Sequence, residues 1–133
     1  MIVVAGAGAF GTALAISLSR TQPIALWTRD AEQAADMRQA RCNTKRLPGV
    51  DLPASTEIIT RLNTVSQTGI VLLAIPTQKL RSFLADHGHD LARAGALVLC
   101  CKGVELETGK RPSEIVTEFL PDTTGPSSGP ASA

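Results

Sequence analysis

The chain has 133 residues, a length that suits one domain, with 44% hydrophobic and 19% charged residues. Thirteen basic against twelve acidic residues leave a net charge of +1, so no basic surface for nucleic acid is indicated. No apolar run approaches the roughly 20 residues of a membrane helix, which argues against membrane insertion, and aromatic residues are only 3% of the chain. The core must therefore be built from Val, Ile, Leu and Ala.

Ile2 to Ala5 reads as a short buried strand, too short and without the preceding basic stretch of a signal peptide. A glycine turn follows, and Phe10 to Ser19 has Phe10, Leu14 and Leu18 at helical spacing. Gln22-Pro23 ends that helix, and Ile24 to Trp27 reads as a second buried strand. Asp30 suits the N-cap of a helix over about Ala31 to Arg41. Asn43 to Pro53 reads as a loop, and Glu57 to Thr60 as a short strand. Ile70 to Ile75 is six consecutive apolar residues stopped by Pro76, the clearest strand of the chain. Lys79 to Arg93 predicts a helix with a break at Gly88, Ala96 to Cys101 a buried strand, and Pro112 to about Leu120 a last helix. Apolar runs without alternation, separated by helices, imply an α/β fold: a Rossmann-type, doubly wound, mostly parallel sheet with helices on both faces. Residues 1–121 form this domain, and 122–133, rich in Pro, Gly and Ser, a linker or flexible tail.

Gly6-Ala7-Gly8-Ala9-Phe10-Gly11 matches G-x-G-x-x-G between a strand and a helix. Gly6 permits the tight turn, Gly8 lets a pyrophosphate approach the backbone, and Gly11 allows close packing of helix on strand. The helix that starts near Phe10 then directs its N–H groups and positive end at the phosphates. This turn predicts a bound NADP or NAD.

The second strand ends in Trp27-Thr28-Arg29-Asp30. Arg29 can meet a 2′-phosphate, favouring NADP, or be a solvated surface arginine. Trp27 can pack beside an adenine or fill the sheet edge. Pro76 is either a rigid strand stop or a neighbour of the nicotinamide. Lys102 follows the buried strand ending at Cys101; its ammonium can polarise a carbonyl or hold an anion, or it is a loop lysine. His87 and His89 fall in a polar stretch that reads as a helix break or surface loop, and no metal site is expected. Cys42, Cys100 and Cys101 read as buried, reduced thiols of a cytoplasmic protein.

The set Gly6-Ala7-Gly8-Ala9-Phe10-Gly11, Leu26-Trp27-Thr28-Arg29-Asp30, Asn43 with Leu47-Pro48-Gly49, Ala74-Ile75-Pro76-Thr77-Gln78 and Lys102-Gly103-Val104-Glu105 with Thr108-Gly109 resembles bacterial-type NAD(P)-dependent glycerol-3-phosphate dehydrogenases over roughly residues 1–121. The resemblance implies interconversion of dihydroxyacetone phosphate and sn-glycerol 3-phosphate, a step toward phospholipids. It implies cofactor contacts at Ala9, Phe10, Arg29 and Lys102, with Lys102 also at a small phosphorylated substrate. Arg46 stands where the family often has an aromatic residue, and Cys101 where it usually has Thr. Ser128-Gly129-Pro130 matches a family segment that touches substrate, which makes Gly129 a candidate as well. The family's second, helical domain, with a further lysine for proton transfer, is absent from this sequence. The chain is thus expected to bind cofactor without efficient turnover, with a homodimer as one way to cover an exposed face. Two other readings stay open: a non-catalytic NAD(P)-binding module, or the nucleotide domain of another two-domain hydroxy-acid dehydrogenase.

Overall fold

The computed structural model describes residues 2–62, 69–92, 94–100 and 106–119. Strand β1 (Ile2–Ala5), helix α1 (Ala9–Ser19), β2 (Ile24–Trp27) and α2 (Ala31–Ala40) follow in order. Next come β3 (Cys42–Asn43), β4 (Leu47–Asp51), β5 (Thr56–Ile59) and β6 (Ile70–Leu73). Helix α3 (Thr77–Leu91), β7 (Ala96–Leu99) and α4 (Pro112–Phe119) complete the described chain.

Five strands form one sheet in the order β5-β2-β1-β6-β7, and every pairing in it is parallel. The register is level across the sheet: Ile2 pairs with Ile24 and Ile70, Ile24 with Thr56, and Ile70 with Ala96. Alternate residues of each strand feed two cores. Val3, Ala5, Trp27 and Leu73 pack with Leu80, Leu84 and Ile115 of α3 and α4. Val4, Leu26 and Ile58 pack with Ile16 of α1 and Met37 of α2. Helices thus cover both faces, as buried parallel strands require.

Several expectations need correction. Asn43 to Pro53 is not a plain loop, because β3 and β4 pair antiparallel, with Cys42 opposite Asp51 and Asn43 opposite Leu47. Helix α3 runs unbroken through Gly88, which is buried between the core residues Leu84 and Leu91. Tertiary burial there outweighs the roughly 1 kcal/mol that glycine costs a helix. His87 consequently lies within a helix, its ring centroid 5.0 Å from those of Trp27 and Phe83. Helix α1 buries its Phe10, Leu14 and Leu18 stripe only in part: Leu14 and Leu18 pack against the core half-buried. Its buried face is Gly11, Thr12, Ala15, Ile16 and Ser19, and Phe10 is 59% exposed. Strand β6 ends at Leu73, before Ile75, because only its first four residues keep paired register on both sides. Cys42 and Cys100 are half-buried free thiols rather than fully buried ones, and desolvation raises the Cys100 pKa above the ordinary thiol value.

Asp30 caps α2 as its position suggests. Its Oδ1 accepts from the backbone N–H of Glu32 at 2.9 Å and of Gln33 at 3.3 Å. The other end of α2 closes on Arg41 in the left-handed conformation (φ 52°). The Arg41 guanidinium donates to the carbonyls of Pro53 and Thr56, tying the helix end to the start of β5. Arg38 donates through Nη2 to the Ile58 carbonyl at 2.7 Å, so an edge-strand acceptor is satisfied from the helix layer.

Candidate cofactor cleft

The chain runs outward from β1 to β2 and β5 on one side, then returns to place β6 and β7 on the other. The turns leaving the neighbouring strands β1 and β6 therefore diverge at the carboxyl edge and open a crevice. In sheets of this kind ligands bind there. A cleft of about 670 Å³ occupies the position, within the ordinary range for small-molecule sites. Its walls include the glycine turn, the end of β2 and the segment from Ala74 to Thr77.

The three glycines serve the turn in different ways. Gly6 adopts φ +120°, a region few L-residues enter, and a Cβ on it would lie 2.5 Å from the Ala74 carbonyl oxygen. Gly11 is forbidden a side chain by packing: its Cβ would stand 1.9 Å from the Gly6 oxygen. Gly8 has extended backbone (φ −76°, ψ −174°), and a Cβ there would meet nothing within 4 Å. Its missing side chain leaves room on the cleft wall rather than relieving a clash. Gly8 is also the N-cap of α1 and supplies no side-chain cap. The first-turn N–H groups, which lack intrahelical partners, thus start at the cleft, where Ala9, Phe10 and Gly11 form part of its wall.

Arg29, Arg46 and Lys79 also border the cleft, and no Asp or Glu does among the described residues. Three cations and an uncapped helix terminus make a field suited to a polyanion. Arg29 leaves the end of β2 exposed, as its sequence position suggests. Pro76 is the N-cap residue of α3, so it both ends the β6 turn and starts a helix at the cleft rim. Lys102 and Gly129 lie outside the described residues, as do Cys101 and the tail. Cys100, next to β7, does reach the cleft wall.

Trp27 is not at a sheet edge, since β2 lies between β1 and β5. It is 2% exposed and meets Phe83 edge-on with centroids 5.2 Å apart. Its Nε1 is buried and has no hydrogen-bond partner among the described residues. Thr28, Gln33, Lys79 and Phe83 complete the cleft without having been singled out for it from sequence, and Arg46, noted there only as a departure from the family pattern, also lines it. A lysine one turn into the helix after Pro76 was the available signal for Lys79. For Gln33 and Arg46 no local signal exists, since the fold alone returns α2 and the β3–β4 turn to the glycine turn.

The family model for the N-terminus of NAD-dependent glycerol-3-phosphate dehydrogenase matches residues 1–133. A glycerol-3-phosphate dehydrogenase (NAD(P)+) of Roseobacter denitrificans is 52% identical over 128 residues, covering 92% of this chain and 39% of that protein. One from a Ruegeria species is 44% identical, covering 92% of this chain and 38% of that protein. Among solved structures, glycerol-3-phosphate dehydrogenase from Coxiella burnetii superposes with a TM-score of 0.80 at 23% identity, over 92% of this chain and 38% of the other. The fold is thereby shared, and this chain spans well under half the length of the relatives it matches. By sequence the chain belongs to the family of NAD-dependent glycerol-3-phosphate dehydrogenase N-terminal domains.

Proposed function

We propose that the chain binds NADP or NAD in this cleft and is the cofactor-holding part of a glycerol-3-phosphate dehydrogenase. The observation that carries the reading is the uncapped start of α1 at Gly8, open to a cleft bordered by cations and free of described carboxylates. In this reading the pyrophosphate sits on the first turn of α1, where backbone N–H groups donate to it. Arg29 receives the 2′-phosphate of NADP, and Pro76 flanks the nicotinamide side. The bound nicotinamide would supply or accept hydride at the C2 carbon of dihydroxyacetone phosphate or sn-glycerol 3-phosphate. Lys102 orients and polarises that substrate, and proton transfer falls to a lysine of the second domain that the family resemblance implies. Gly129 is proposed to meet the substrate from the segment that follows.

Residues 1–133 taken by themselves should bind cofactor but turn over slowly, because positioning and acid–base contributions both need groups from a second wall. A cytoplasmic setting agrees with the free thiols of Cys42 and Cys100. The test is titration of NADPH and NADH into the wild type and Arg29→Ala. Wild type binds both and prefers NADPH. Arg29→Ala weakens NADPH about tenfold, the worth of one charge-assisted contact of about 1.4 kcal/mol, and leaves NADH within about twofold. Failure of both nucleotides to bind would refute the cofactor reading. An unchanged preference would remove Arg29 from the 2′-phosphate site. NADPH oxidation with dihydroxyacetone phosphate at rates typical of complete dehydrogenases would contradict the division of labour between domains.

A further inference from the structure

Asn43 is 1% exposed and sits at the end of β3, behind the glycine turn. Its Nδ2 donates to the Ala7 carbonyl at 2.9 Å and to Thr12 Oγ1 at 2.8 Å. Its Oδ1 accepts from Gln33 Nε2 at 3.3 Å and from the backbone N–H of Arg46 at 3.4 Å. A carboxamide offers two donor protons and an acceptor with two lone pairs, and all four are used. The reversed orientation would set an NH2 against two donors, so the network fixes which way the amide points. The Ala7 carbonyl accepts a second bond, from Gln33 Nε2 at 3.1 Å, and Gln33 Oε1 accepts from Thr28 Oγ1 at 2.9 Å. A buried network of this kind reaches the glycine turn, α1, the end of β2, α2 and the β3–β4 turn at once.

The Ala7–Gly8 peptide is trans and planar, so its carbonyl and the Gly8 N–H point in opposite directions. Two donors that pin the carbonyl therefore also aim the Gly8 N–H. We infer that Asn43 is a positioning residue for cofactor binding: with Gln33 it locks the Ala7–Gly8 peptide plane so that the glycine turn presents its N–H groups to a pyrophosphate, and it joins that plane to the turn carrying Arg46. The inference rests on the dinucleotide reading above. Asn43 itself is not part of the cleft wall, so its effect passes through Ala7. The network also links the arginine side of the cleft to the phosphate cradle through a single side chain.

Asn43→Asp tests it, since the carboxylate keeps the shape and the two acceptor contacts and loses both donors. Affinities for NADPH and for 2′-AMP, which has no pyrophosphate, are measured by calorimetry or NMR titration together with the thermal midpoint. The expected result is at least about a tenfold loss for NADPH, with 2′-AMP changed less than about twofold. Gln33→Glu, at the half-buried side of the same carbonyl, gives the same selectivity with a smaller loss, because Asn43 still holds Ala7. If Asn43→Asp shows no cooperative unfolding, Gln33→Glu decides. Wild-type NADPH affinity in the folded variants, or parallel losses for NADPH and 2′-AMP, would overturn the positioning role. A wild type that binds no NADPH overturns the dinucleotide reading and the inference with it.

Discussion

Alanine at Gly8 and alanine at Gly11 should have opposite signatures, although the two glycines belong to one turn. At Gly8 the backbone is extended and the added Cβ meets no atom within 4 Å. The folding cost is then only the difference between Gly and Ala at an N-cap, up to about 1 kcal/mol. The methyl does occupy the wall where phosphate oxygens would approach the helix terminus. Pushing a phosphate off charge-assisted hydrogen bonds forfeits about 1.5–3 kcal/mol, roughly a ten- to hundredfold rise in Kd. At Gly11 the Cβ would lie 1.9 Å from the Gly6 oxygen and 3.2 Å from the Ala74 Cβ. Helix and turn must separate, at a folding cost of about 1–3 kcal/mol or more. Thermal unfolding monitors stability, and NADPH binding is followed through the emission of Trp27, the single tryptophan, which borders the cleft. Gly8→Ala should lose affinity with a nearly unchanged midpoint, and Gly11→Ala should lose both. A Gly8→Ala protein that binds NADPH like wild type, or unfolds as early as Gly11→Ala, would refute this division between a binding glycine and a folding glycine.

Asp30→Ala removes two N-terminal hydrogen bonds of α2 and should lower stability by about 1 kcal/mol, measured by urea unfolding. No loss would mean that water replaces the cap fully. Glu118 of α4 pairs with Arg81 Nη2 of α3 and with Lys110 Nζ, just ahead of α4, each at 3.0 Å. The Arg81 hydrogen bond, then that of Lys110, holds its carboxyl below the ordinary carboxylate value. A folded pKa below the unfolded one stabilises the protein above the unfolded value, and that gain is lost as pH falls through the folded one. Thermal midpoints against pH should therefore fall more steeply for wild type than for Glu118→Gln in acid, by a small margin for so exposed a group, and converge at low pH. Parallel curves would show that the ion pairs contribute nothing.

The sheet was legible because buried parallel strands write themselves as unbroken apolar runs. Ile2 to Ala5, Ile24 to Trp27 and Ile70 to Leu73 stand close to where those runs predict them. The β3–β4 hairpin was hidden because Pro48 and Gly49 look like turn residues, and β4 is largely exposed. What makes it a strand is pairing with two residues of β3, a contact with no trace in local periodicity. Gly88 misled for the opposite reason: a local propensity was overridden by packing. At the cleft, the place of the glycine turn and of Arg29 could be read directly, since backbone conformation and strand ends leave fixed marks in sequence. Asn43 drew notice only within a family pattern. Its work depends on a carbonyl 36 positions away, and a residue type alone does not encode that geometry.

The level register of the five strands sets Ala5, Trp27, Ile59, Leu73 and Leu99 in one rank. Each connection at that rim starts from the same height, so lengthening one reshapes a single side of the cleft without tilting the rest. Thr21, Gln22 and Pro23, which join α1 to β2 at the opposite rim, are all exposed. A reporter or fused partner spliced in at Gln22 would therefore sit a strand's length from the cleft.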